Sequence, residues 1–195
     1  MVGVMVAGTR EPSPQGAALA RRVGYALARR GITLITGGAP GVDVEALRGA
    51  IEAGGRILLV LPYMPPPFRY VQELLSKAER RNGCYYVGNA TVFVKAAIRR
   101  VPRDIRIAFA ARTKVAVDEA DAVVVVEAKT PTEGRGWGTY LAVRHAITRG
   151  KPVYVFEPLV DDERVKKAFE ILRGLGARPV RSVDEVLSRY TSSRR

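Results

Sequence analysis

The chain has 195 residues, 47% of them hydrophobic and 26% charged, a balance that suits one globular domain with a sizeable core and excludes a disordered or fibrous polymer. Its one cysteine, Cys84, excludes an internal disulfide and a paired-cysteine metal site, and no apolar run approaches the roughly 20 residues of a membrane span. Lys and Arg number 32 against 19 Asp and Glu, a formal charge of +13, so many cations lack an acidic partner and a polyanion such as nucleic acid is the expected ligand.

Residues 2–7 form a continuous apolar run, read as a strand buried on both faces. With no basic leader or apolar signal core ahead of it, the expected location is cytoplasmic. A helix follows, with Leu19, Val23, Ala26 and Leu27 on one face. Further strands are expected at 33–36, 57–61, 122–127 and 153–156. Val44, Leu47 and Ile51 share the face of a second helix. The loop Pro62-Tyr63-Met64-Pro65-Pro66-Pro67 can be neither helix nor central strand. After it, the pattern predicts helices over 70–81, 92–100 and 104–119. Val165, Ala168, Phe169 and Leu172 make a last long stripe, and Ser182 with Glu185 has capping-box spacing for a short final helix. Strands alternating with helices imply a doubly wound, mainly parallel α/β sheet of Rossmann type with helices on both faces. The expectation is one domain over 1–195, with a divergent middle at 62–106 and C-terminal helices over 160–195.

Four stretches carry the chemistry. Gly8-Thr9-Arg10, with Ser13 and Gly16, turns the first strand into the first helix. Free amides and the positive end of the helix dipole make such a corner an anion site. The second corner is Thr36-Gly37-Gly38-Ala39-Pro40-Gly41-Val42-Asp43. Its glycines let backbone approach a ligand, and Asp43 can cap the helix or hold a ligand hydroxyl. An ordinary glycine-rich turn explains it equally well, and the spacing is not the G-x-G-x-x-G dinucleotide fingerprint. Third comes Phe109-Ala110-Ala111-Arg112-Thr113-Lys114, downstream of Arg99, Arg100, Arg103 and Arg106, a run suited to phosphate contacts or merely to a solvated helix face. Glu127 then ends a strand where open α/β sheets place their ligand crevice. The fourth, Gly134-Arg135-Gly136-Trp137-Gly138-Thr139, is a phosphate-compatible loop. Its lone tryptophan can stack on a base or plug the sheet edge. His145, without a Ser or Cys partner at a recognisable spacing, reads as structural. Neither a cofactor nor a metal is expected.

The same residues resemble the core of DNA-processing protein A (DprA, also called Smf). That family's G-S-R-x-P-S-x-x-G motif is matched by residues 8–16, with Thr9 for Ser. Its S-G-x-A-x-G-I-D-x-x-A-H is matched by residues 36–47, with Leu47 for His. Its G-G-x-x-x-x-V-L has counterparts in Gly54-Gly55 and Val60-Leu61, its F-x-x-R-N-R in residues 109–114, and its S-D-A-V-x-V-V-E-A strand in residues 121–128. The resemblance implies a stand-alone core that binds single-stranded DNA in a basic pocket, dimerises and hands DNA to a recombinase. Phosphate or nucleotide contacts would fall to Gly8, Thr9, Arg10, Ser13, Gly37, Gly38, Ala39, Gly41, Asp43, Glu127, Gly136, Gly138 and Thr139. Arg10, Arg112, Thr113 and Lys114 would meet nucleic acid. LOG-like phosphoribohydrolases offer a rival reading, but Leu141 and Ala142 stand where their P-G-G-x-G-T-x-E-E motif has carboxylates, so the usual proton shuttle is missing. A sensor that binds a nucleotide without turnover fits the same loops, so no catalytic residue is assigned.

Overall fold

The structure, a computed structural model, describes residues 2–132 and 136–193. Glu133, and Gly134 and Arg135 of the fourth stretch, lie outside the described residues. Five strands run where the apolar segments predict them: β1 (Gly3–Ala7), β2 (Thr33–Thr36), β3 (Arg56–Leu61), β7 (Ala122–Val125) and β8 (Val153–Phe156). Four more complete a sheet of order β4-β5-β6-β3-β2-β1-β7-β8-β9, namely β4 (Glu79–Arg81), β5 (Cys84–Val87), β6 (Ala90–Ala96) and β9 (Arg178–Val180). Every pairing is parallel except the two made by β5.

Helices cover both faces, which is why the central strands are apolar throughout and do not alternate. Helices α1 (Pro14–Arg29) and α2 (Val42–Glu52) pack with Leu27, Leu34, Leu47, Ile57 and Leu59 on one face. Helices α4 (Ile105–Glu119), α5 (Trp137–Thr148) and α6 (Glu163–Gly174) pack with Met5, Val60, Val123, Val143, Val155 and Leu172 on the other. Each fully buried Leu or Val contributes roughly 1.5–3 kcal/mol. Helix α3 (Arg69–Lys77) sends Val71 into the first of these layers, and α7 (Val183–Leu187) closes it near the C-terminus. Ser182 caps α7, its Oγ accepting from the Glu185 amide at 3.2 Å, as the capping-box spacing predicts.

Two predicted helices change. The one expected over 70–81 stops at Lys77, and Glu79–Arg81 is strand β4. The one expected over 92–100 is strand β6, lying parallel to β3. Thr91-Val92-Phe93-Val94 is β-branched and aromatic, stiff in a helix and well fitted to a pleated sheet. Arg81 pairs with Cys84 across a two-residue turn, Asn82-Gly83, and both turn residues have positive φ (52° and 78°). This is the backbone that a tight hairpin between right-twisted strands demands.

The chain leaves β1 outward through β2, β3 and β6, then crosses back to lay β7 on β1's other side. The order therefore reverses between β1 and β7. In open α/β sheets such a reversal opens a crevice beyond the carboxyl ends of the strands.

Candidate nucleic-acid interface

Gly8 follows β1 and Glu127 follows β7, so the first corner and the glutamate meet at this crevice. The Thr9 amide donates to the Glu127 carbonyl at 2.7 Å, and the Thr9 carbonyl accepts from the Val42 amide at 3.1 Å. Thr139 Oγ1 donates to the Gly8 carbonyl at 3.1 Å. The corners after β1 and β2 and the start of α5 are thus one connected body. Gly41, the residue ahead of α2, has φ of 87° and lies against the Thr9 and Arg10 backbone, where a side chain would overlap. Here glycine lets two loops of the protein touch each other.

The N-terminus of α1 is occupied from within. Ser13 caps it, its Oγ accepting from the Gly16 amide at 2.9 Å. The Glu127 carboxylate accepts from the Ser13 amide at 2.9 Å and from the Ser13 hydroxyl at 2.6 Å. Glu127 is buried, with 4% exposure. A carboxylate at a helix N-terminus fills the place that an external anion would take.

In the second corner, Asp43 is buried in the first turn of α2. Its Oδ2 accepts from the amides of Gly37 at 3.2 Å and Ala39 at 3.4 Å, and from Arg112 Nη1 at 3.4 Å. The Arg112 guanidinium lies where a Gly37 side chain would be. Arg112 is itself buried, and its Nε has no hydrogen-bond partner among the described residues. Burial pushes the Asp43 carboxyl above the ordinary carboxylate range, against the pull of Arg112 and the two amides. Burial likewise lowers Arg112, opposed by Asp43. The pair is an internal brace for the loop.

Arg10 differs from Arg112 in being exposed. Its guanidinium carbon lies 6.0 Å from the Phe68 ring centroid and 5.7 Å from that of Phe109. The two rings are 5.9 Å apart, and Arg112 approaches Phe109 from 6.0 Å. Phe68 was not among the residues singled out by sequence. It ends a proline-rich loop, and only folding brings it to Arg10. Thr113 is buried and its Oγ1 donates to the Phe109 carbonyl four residues back, at 3.0 Å. Lys114 is exposed, but two positions along a helix turn about 200° around its axis. It therefore faces away from the side on which Arg112 meets Asp43. Arg99, Arg100 and Arg103, exposed between β6 and α4, lie along the same edge of the sheet as Arg10.

Helix α5 begins differently from α1. Gly136 precedes it in the left-handed conformation, with φ of 87°, and offers no side-chain cap to the first turn. Gly136, Trp137 and Gly138 are exposed, and among the described residues nothing beyond its chain neighbours and its own helix lies within 4 Å of the place a Gly138 side chain would occupy. His145 is a structural residue in its contacts, with Nε2 2.9 Å from Asp118 Oδ1.

With this strand-order reversal, corner after β1 and arginine brace goes a family match: the family model for DNA recombination-mediator protein A matches residues 2–191. The chain belongs to that family. It is 24% identical over 191 residues to protein Smf of Synechocystis sp., covering 95% of this chain and 43% of that protein. The chain thus spans less than half the length of the curated relative it matches. Among solved structures, DprA of Streptococcus pneumoniae superposes with a TM-score of 0.72 at 22% identity, over 96% of this chain and 61% of the other. DprA of Helicobacter pylori, described by its single-stranded DNA binding mode, gives 0.70 at 20%, over 97% and 80%. A molybdenum cofactor binding protein of Rippkaea orientalis gives 0.60 at 21%, over 98% and 94%. At these identities, the likenesses establish the shared Rossmann-like fold. No described helix is long and apolar enough to cross a membrane.

Proposed function

We propose that this member of the DNA recombination-mediator protein A family binds the phosphates of single-stranded DNA across the carboxyl edge of its sheet. The observation that carries the reading is Arg10, an exposed cation at the strand-order reversal, held over the Phe68 and Phe109 rings. A guanidinium so placed can meet a phosphate while the rings keep it from swinging into solvent. The start of α5, to which Gly136 brings no side-chain cap, supplies backbone donors, and Arg99, Arg100 and Arg103 extend positive charge along the edge. In this reading Arg112 and Asp43 act indirectly, by holding the Gly37–Ala39 backbone, and Glu127 sets the start of α1. With both Glu127 carboxylate oxygens committed to Ser13, the residue is a poor candidate for the proton shuttle that nucleotide hydrolysis needs. A cytoplasmic setting, a homodimer and hand-off of the strand to a recombinase are the further expectations that go with the family.

The test is a salt titration of labelled oligonucleotide binding followed by fluorescence anisotropy. Affinity should fall steeply as salt rises, through counterion release, and Arg10→Ala should flatten the slope by about 0.7 in log–log terms for one lost phosphate contact on a single strand. Salt-independent binding, or a slope unchanged by Arg10→Ala, counts against the proposal.

A further inference from the structure

Among the described large hydrophobic side chains, Trp137 is the most exposed, at 63%. A single exposed aromatic is ordinary on a protein surface, but this one has a particular setting. It occupies the first turn of α5, two residues before Thr139, whose hydroxyl ties that turn to the Gly8 carbonyl. The start of α5, and Trp137 with it, therefore lies at the carboxyl edge of the sheet beside the corner that carries Arg10. The Tyr140 ring, itself 7% exposed, lies 6.4 Å away at an interplanar angle of 59°. A tilted partner of this kind props the indole from one side and leaves a face of it open. The chain neighbours on both sides, Gly136 and Gly138, are exposed and carry no side chain to cover that face.

The geometry points to Trp137 as the base-stacking residue of this site, a role that rests on the strand-binding reading above. An unpaired nucleobase lies on the open indole face, while Arg10 and the adjoining backbone donors meet the phosphates. Every base has a π-face, so the contact is tolerant of sequence. It does demand a base that is not already stacked inside a duplex. Trp137 thereby favours single strands over double strands, a discrimination that phosphate contacts cannot make.

The chain has one tryptophan, so indole emission, excited where tyrosine is dark, reports this position directly. Oligothymidylate should quench it with the same midpoint that anisotropy gives. An abasic strand of equal length should bind more weakly and leave the emission unchanged. Trp137→Phe should stay within about threefold of the parent and Trp137→Ala should weaken binding roughly 5- to 150-fold, with the circular dichroism of both unchanged. Binding by anisotropy without quenching, or full affinity in Trp137→Ala, overturns the stacking role and leaves strand binding intact. Equal quenching by thymidine monophosphate, at the same nucleotide concentration, overturns the role for a strand and assigns the face to a free nucleotide. Absence of strand binding by anisotropy overturns the underlying reading, and this inference with it.

Discussion

Helices α1 and α5 both begin at strand-to-helix corners containing glycine, and their free amides are completed in opposite ways. At α1 the protein supplies its own anion: Glu127, 114 residues away in sequence, accepts from both the amide and the hydroxyl of Ser13. At α5 the capping position is Gly136, which has no side chain to offer, and the next two residues are exposed. The two arginines of the site divide in the same way. Arg112 is sealed against Asp43, whereas Arg10 stands in solvent over two rings. Similar motifs thus serve two purposes, one bracing the crevice and the other lining it.

The largest effect expected from breaking this division falls on the brace. Arg112→Leu leaves the Asp43 carboxylate buried without its cation, and should cost about 3–5 kcal/mol of stability in denaturant titration. Arg112→Leu with Asp43→Leu should recover much of that loss, because neither buried charge is then left alone. A single variant as stable as the parent would show that the pair braces nothing. Next in size is Glu127→Ala, which strands the Ser13 donors. It should cost about 1–3 kcal/mol, and each kcal/mol lowers the melting temperature by roughly 2–4 °C for a chain of this size. An unchanged melting temperature, with strand affinity abolished, would instead make Glu127 a ligand contact. The smallest effect belongs to Lys114→Ala, on the far side of α4 from Arg112. Oligonucleotide affinity should change by less than about twofold, the size expected for a cation off the phosphate track. A drop as large as that of Arg10→Ala would place the strand across α4 and would redraw the interface.

The parallel core was legible because strands buried on both faces must be apolar throughout, as residues 122–125 are. The first corner was legible too, since Ser13 and Pro14 mark a helix start locally. The distal hairpin was not among the expected elements, although its signal is local, in Asn82-Gly83, whose paired positive φ angles suit a two-residue turn. Residues 92–96, in the helix expected over 92–100, run instead as a strand beside β3, because Thr91-Val92-Phe93-Val94 is β-branched and aromatic. Phe68 carried no local signal at all, because its role exists only once α4 brings Phe109 beside it.

By itself, then, the sequence determined the doubly wound sheet, the corners after β1 and β2 and the basic balance, all properties of short windows and composition. Tertiary structure decided which corner the protein fills for itself. It also made Arg112 a partner of Asp43, left Arg10 exposed beside two rings and left Trp137 exposed at the start of α5. The reason is distance along the chain. Arg112 and Asp43 are 69 residues apart and Glu127 and Ser13 are 114 apart, and such pairs form only through the order in which the strands join the sheet.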